Sequence, residues 1–236
     1  MKKIGVLVGL MLVLGQAALA QSTPTADEVI DNYIAAIGGK DALMKVTDLT
    51  TNMSSDMNGN SIIITRKQKL PNKFLMVINA NGMEIMRQAG DGEKVIRGGM
   101  QGTNVVEGPE AKQLMTMNSL FPELHYAENG VTSTLVGIEK VDGKDTYKLS
   151  HALADGKGVW TDNFDVATGL KVQSIATNKS PRGEMTTTSV YSDYKDTNGI
   201  KFPMTIQQTS PRGPMTMSVD NVKVNKGIKD ADFSTK

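Results

Sequence analysis

A chain without cysteine must do its chemistry with histidine, carboxylates, lysine and hydroxyls, and here the choice is narrow. The 236 residues include no cysteine and two histidines. His125 follows a helical segment and His151 falls in a predicted strand. Neither belongs to a His-x-x-x-His or His-Glu-x-x-His spacing, so each reads as an ordinary polar or half-buried residue and not as a metal ligand. The close carboxylate pairs Asp162/Asp165 and Glu107/Glu110 read as solvated loop acids, which gives no ground for a glycosidase. There is no Gly-x-Ser-x-Gly elbow, phosphate-binding loop or dinucleotide fingerprint. Gly98, Gly99 and Gly102 follow a strand and precede no capped helix, the pattern of a bulged sheet edge. Asp142-x-Lys144 and Asp155-x-Lys157 are turn residues. Ser180-Pro181-Arg182-Gly183 is echoed by Ser210-Pro211-Arg212-Gly213. Two arginine tips at one end of a sheet could bind an anion, although exposed turn arginines are the simpler reading. No catalytic residue, metal ligand or cofactor is assigned.

Composition narrows the classes further. Twenty-six Lys and Arg against 25 Asp and Glu leave no basic excess to neutralise nucleic-acid phosphates. Without cysteine there is no disulfide framework, thiolate zinc site or amino-terminal lipid attachment. Lys2 and Lys3, the apolar run Ile4 to Leu14 and the small-x-small Ala18-Leu19-Ala20 form a secretory signal-peptide pattern, with cleavage expected after Ala20. Residues 1–20 are therefore the signal, residues 21–236 one domain, and the location periplasmic or secreted. Removing Lys2 and Lys3 takes the net charge from +1 to −1. No later segment is long and apolar enough to span a bilayer.

The mature chain reads as one helix followed by hairpins. Thr25-Ala26-Asp27-Glu28 is a capping box, and Val29, Ile30, Tyr33, Ile34 and Ile37 share a helical face. Gly38-Gly39 stops the helix, and a short turn over 41–46 carries Leu43 and Val46 inward. From Leu49 the period is two, with turns at Asn58-Gly59, Pro71-Asn72, Asn81-Gly82, Asp91-Gly92, Asp142-Gly143, Asp155-Gly156, Thr168-Gly169 and Asn198-Gly199. Pro109 to Leu124 interrupts the meander as a second helix, with Leu114, Met117 and Phe121 spaced along one face. The count is about eleven to thirteen antiparallel strands. So long a sheet must curl or close, and a mainly β, incomplete barrel with the helices laid into its open side buries both apolar helical faces.

Two features mark the interior. Phe74, Met76 and Ile78 alternate with Leu75 and Val77, and Ile62 to Ile64 is apolar in succession, so cover is expected on both sides of these strands. The fifteen methionines outnumber the eleven aromatics. Many methionines, among them Met53, Met76, Met204, Met215 and Met217, fall on predicted strands. Met115 and Met117 fall on the middle helix. Flexible, polarizable methionine suits either a loose core or a cavity for ligands of variable shape.

The order of elements resembles the periplasmic lipoprotein-carrier (Lol-type) superfamily. Leu70-Pro71-Asn72-Lys73-Phe74 is similar to the segment joining two early strands ahead of an aromatic. Asp91-Gly92-Glu93-Lys94-Val95 is similar to the family's next hairpin, Phe164-Asp165-Val166-Ala167-Thr168-Gly169-Leu170 to its Asp-x-x-Thr-Gly-Leu turn, and Asp232-Phe233-Ser234 to its tail. The resemblance covers most of the mature chain. It implies an incomplete barrel, with helices as a lid over a hydrophobic cavity holding acyl chains, and no catalysis or cofactor. The sequence departs from the family in having Leu70 where the carriers have an arginine before Pro-Asn, and Ile96-Arg97 where they have an aromatic.

The expected ligand-binding wall comprises Ile62, Ile64, Phe74, Met76, Ile78, Met204, Ile206, Met215 and Met217, facing Leu114, Met117 and Phe121 on the lid. The expected function is binding and transport of lipid or lipoprotein acyl chains, with a role in outer-membrane lipoprotein sorting. The first alternative is an envelope interaction module of the same fold, with a protein partner and no lipid. The second is a hydrolase at the barrel mouth, which needs clustered, perturbed carboxylates or His125 close to His151.

Overall fold

The computed structural model describes residues 23–57, 59–99, 102–154, 159–180, 183–211 and 213–235. The expected signal segment, Asn58, the Asp155–Gly158 turn and the arginine tips Arg182 and Arg212 lie outside these residues.

Helix α1 (Ala26–Ala36) begins at the expected capping box: the Glu28 amide donates to Thr25 Oγ1 at 3.2 Å, and the Thr25 amide donates to Glu28 Oε2 at 2.7 Å. Val29, Ile30, Ile34 and Ile37 are buried, and Tyr33 at the edge of this face is half-buried. The helix ends where Gly38 passes the Asn198-Gly199 turn. A Cβ on Gly38 would lie 2.5 Å from the Gly199 carbonyl oxygen, so only glycine allows this approach. The Lys201 amide then donates to the Ile37 carbonyl at 2.8 Å, pinning the helix end to the sheet. A single turn, α2 (Lys40–Leu43), follows.

Among the described residues thirteen strands form one antiparallel sheet. They are β1 (Asp48–Met57), β2 (Asn60–Lys69), β3 (Lys73–Ala80), β4 (Met83–Gly90), β5 (Val95–Gly99), β6 (Gly102–Val106), β7 (Val131–Val141), β8 (Lys144–Leu153), β9 (Val159–Asp165), β10 (Lys171–Ser180), β11 (Gly183–Thr197), β12 (Ile200–Ser210) and β13 (Gly213–Val224). Their order is β6-β5-β4-β3-β2-β1-β13-β12-β11-β10-β9-β8-β7. The sheet is therefore two meanders joined where β1 pairs with β13, and it does not close, leaving β6 and β7 as edges. The glycine-rich stretch expected at an edge forms the β5–β6 hairpin, and the edge is β6.

The middle helix is shorter than its spacing predicts. Helix α3 (Gly108–Met117) stops at Asn118, whose side chain donates to the Leu114 carbonyl at 2.8 Å, while Ser119 Oγ donates to the Thr116 carbonyl at 2.8 Å. These side chains cap the last helical carbonyls, and the Leu114 carbonyl also accepts the Asn118 amide at 3.1 Å. Phe121 follows in the left-handed region (φ 42°), and a 3₁₀ turn spans Pro122–His125. Phe121 thus stands on a loop and not on the helix that carries Met117.

The strand with two apolar faces, β3, is covered on both. On one side Phe74 packs with Val95, Val106, Ala111 and Met115 beneath α3. On the other, Leu75 and Val77 pack with Ala89, Ile96, Ile228 and Phe233, so the cover is the carboxy-terminal segment and its 3₁₀ turn Asp230–Phe233. Lys67, Lys69 and Lys73 tie that segment down through Asp230 and Asp232 at 2.7–3.3 Å. Strand β2 is different: Ile62 and Ile64 are buried but Ile63 is 40% exposed, so two-sided cover does not extend to it. Met57 and Met83 are exposed near hairpin ends, so not every strand methionine is interior.

Candidate functional site

Between the concave face of the sheet, α1, the end of α3 and the Pro122–His125 turn lies a cavity of about 620 Å³. This is within the usual range of small-molecule sites. Its wall has two unlike halves, and strand alternation explains both.

The first half is aliphatic and methionine-rich. On β2, Ile64 faces inward opposite Met53 of β1 and Ile78 of β3. Met76, Ile206, Met215, Met217 and Val219 extend the same surface across neighbouring strands. Met117 and Phe121 face it from the helical side. Of the twelve residues expected to contact ligand, Ile64, Met76, Ile78, Met117, Phe121, Ile206, Met215 and Met217 line the cavity.

The other four do not, each for a local reason. Phe74 has the inward parity, but α3 lies on it, and its ring occupies the space above Gly90, where a Cβ would be 2.5 Å from Cε1. Leu114 packs onto that same Phe74 cluster. Ile62, two residues from Ile64 on the same strand face, is buried within the methionine cluster and does not reach the cavity. Met204 stands opposite the positive-φ Asp193, where the β11–β12 pairing is interrupted.

The second half is aromatic and ionic. Lys171, at the start of β10, places Nζ 2.5 Å from Glu123 Oε1 and 3.0 Å from Asp162 Oδ2. The three side chains are 13%, 8% and 1% exposed. Tyr33, Tyr126 and Trp160 line the cavity beside them, and the Lys171 ammonium lies 5.3 Å from the Tyr33 ring centre. Burial by itself would lower the Lys171 pKa, but Asp162 and Glu123 together hold it well above the usual lysine value. For Asp162 burial works toward a higher pKa, and Lys171 with His151 outweighs it, so the carboxyl stays below the ordinary range. Burial foremost, then the Glu123 charge, pushes the Tyr33 and Tyr126 phenols up, so both stay neutral hydrogen-bonding groups.

Behind this wall His151 is fully buried, stacked 5.1 Å from Trp160, with Nδ1 sharing a hydrogen bond with Ser133 Oγ at 2.8 Å and Nε2 3.4 Å from Asp162 Oδ2. Ser133, His151 and Asp162 have the composition of an acyl-transfer triad. Neither Ser133 nor His151 lines the cavity, so the hydroxyl is not presented to anything held there. His125 ends the Pro122–His125 turn, its Nδ1 2.9 Å from Glu128 Oε2, while the next residue, Tyr126, places its ring 5.1 Å from that of His151.

The acids Asp162 and Asp165 are not solvated as their spacing suggested. Asp162 is 1% exposed and faces the cavity, whereas Asp165 is buried and accepts from the Ala167 and Thr168 amides in the β9–β10 turn. The signal for Asp162 was its parity with Trp160 and Phe164 on β9. On β2, likewise, Arg66 and Gln68 continue the inward parity of Ile62 and Ile64. Gln68 Nε2 donates to the carbonyls of Asn118 and Ser119 at 2.9 and 2.7 Å and anchors the end of α3 to the cavity wall.

An open antiparallel sheet with helical segments over one face is a fold this chain shares with solved structures. A LolA superfamily protein from Nitrosomonas europaea matches with a TM-score of 0.59 at 11% identity, over 90% of this chain and 99% of that one. A DUF1329 family protein from Desulfovibrio piger matches with a TM-score of 0.55 at 17% identity, over 90% and 98%. A domain from Vibrio parahaemolyticus named for outer membrane lipoprotein sorting matches with a TM-score of 0.53 at 12% identity, over 88% and 95%. No family model matches the sequence, and no curated protein matches it. At these identities the likeness is one of fold. Among the described residues no helix is long and apolar enough to cross a membrane.

Proposed function

We propose that this protein is a periplasmic carrier that holds an acyl-chain amphiphile, a lipid or the lipid moiety of a lipoprotein, in the cavity between sheet and helices. The observation that carries the reading is the unequal wall: a continuous methionine and aliphatic surface on one side, with buried polar and aromatic groups on the other. Burying an acyl chain contributes about 0.8 kcal/mol per CH₂, so a ~16-carbon chain yields on the order of 10 kcal/mol before the cost of ordering it. Methionine contacts conform to a chain without fixing its shape, which suits a carrier that must release its load. The fold shared with lipoprotein-sorting structures and the signal-peptide pattern of residues 1–20 both favour an envelope location.

The only tryptophan, Trp160, lines the cavity and provides the test. Titration with a brominated fatty acid is expected to quench its fluorescence saturably, and unlabelled fatty acid to reverse the quenching by competition. An unsaturable response equal to that of free tryptophan contradicts the reading and favours an interaction module without a lipid ligand.

A further inference from the structure

The cavity holds two cationic side chains with opposite circumstances. Lys171 has two carboxylates within 3.0 Å. Arg66 lines the same cavity, and among the described residues no carboxylate lies within 4.0 Å of it. Among the described residues its side chain makes one long hydrogen bond, 3.5 Å from Nη2 to Asn118 Oδ1. A guanidinium carries five donors and stays protonated at any ordinary pH. Burial lowers its pKa, with the Tyr191 phenol and the Glu123 carboxylate acting the other way. Glu123, the acid whose charge acts on it, is already engaged 2.5 Å from Lys171. The amide of Gln68, next on the same strand face, is engaged with Asn118 and Ser119.

Arg66 also stands where the wall changes character. Its cross-strand neighbours are Thr51 and Met76, and two residues along β2 lies Ile64, followed across the sheet by Met53 and Ile78. We infer that Arg66 receives the anionic head of the bound amphiphile, a carboxylate or a phosphate, with the acyl chain running from it over Ile64, Met53 and Met217. A planar oxyanion satisfies the guanidinium fork in two parallel hydrogen bonds, and the chain then begins at the first methionine of the wall.

This inference rests on the carrier reading and is separable from it with matched probes. Isothermal titration of the purified protein with palmitate, 1-hexadecanol and lysophosphatidylglycerol compares one chain with two anionic heads and a neutral one. The wild-type protein is expected to prefer palmitate or lysophosphatidylglycerol over hexadecanol by about tenfold or more, the anion bound more tightly giving its chemical source. Arg66→Met is expected to abolish that preference while leaving hexadecanol affinity within about twofold, and Arg66→Lys to restore part of it. Equal wild-type affinity for the three probes overturns the inference while leaving the carrier reading intact. So does an equal loss of all three in Arg66→Met. If no probe binds the wild-type protein, the carrier reading falls and the inference with it. Should Arg66→Met fail to fold, Arg66→Lys carries the test: a partial loss of the anion preference is expected, and an unchanged preference overturns the inference.

Discussion

The two halves of the cavity wall are built on opposite physical terms. Around Lys171 the groups are fixed: two carboxylates within 3.0 Å of one ammonium, ringed by Tyr33, Tyr126 and Trp160. Across the cavity the surface of Met53, Met76, Met215 and Met217 has no directional contacts and owes its form to packing alone. Charges buried at this depth tolerate little displacement, whereas thioethers accept many arrangements at similar energy. The rigid half holds α1, the Pro122–His125 turn and β9–β10 together. The adaptable half is left free to meet a ligand.

The largest effect should follow from breaking the rigid half. Lys171→Met leaves Asp162 and Glu123 buried without a cation, and a loss of about 3–5 kcal/mol is expected in denaturant unfolding at pH 8. The sign of its pH dependence sharpens this. In the wild-type protein the lowered Asp162 pKa contributes stability that is full above the ordinary carboxylate range and lost as pH falls through the lowered value. The raised Lys171 pKa contributes stability that is full below the ordinary lysine value and lost as pH rises through the raised one. Stability from the cluster is therefore flat across neutral pH and declines at both extremes. Lys171→Met should instead be less destabilised at pH 4.5 than at pH 8, because protonation discharges the orphaned acids. Equal destabilisation at the two pH values would show that the cluster's role is packing.

A smaller effect is expected beneath α3. Gly90→Ala places a Cβ against the Phe74 ring, and overpacking there should cost about 1–3 kcal/mol with little change in ligand affinity. On the adaptable half, Met76→Ala enlarges a space that is already open. Its cost should be about 1 kcal/mol, mostly transfer free energy, while the affinity for palmitate falls. A stability loss at Met76 as large as that at Lys171 would erase the distinction between the halves. The exposed pair Arg97–Glu110, remote from both, should contribute under about 1 kcal/mol by double-mutant cycle.

The sequence made the frame legible because local signals coincide with it. The capping box at Thr25, the Asn81-Gly82, Asp142-Gly143 and Asn198-Gly199 turns, and the period of two from Leu49 all act within a few residues. The apolar wall was partly legible for the same reason: alternation places Ile64, Met76 and Ile78 on one face. What alternation does not encode is which part of that face a helix covers, and Phe74 and Leu114 are in solid packing for that reason. The extent of α3 depended on Asn118 and Ser119 capping its last carbonyls with their side chains. The ionic cluster was hidden by distance, since Glu123, Asp162 and Lys171 come from separate elements. Each acid, taken with its neighbours in sequence, resembled an ordinary loop residue. Only the parity of Asp162 with Trp160 and Phe164 pointed inward.

Native mass spectrometry distinguishes a cavity that is a carrier's hold from one that is a packing defect. The protein is purified without detergent from the cells that produce it, and its mass is compared before and after delipidation. A carrier should show a co-purified adduct that fragments to an acyl chain, disappears on delipidation and returns on incubation with lipid. The bare polypeptide mass in every sample, with no uptake of added lipid, would contradict the carrier reading.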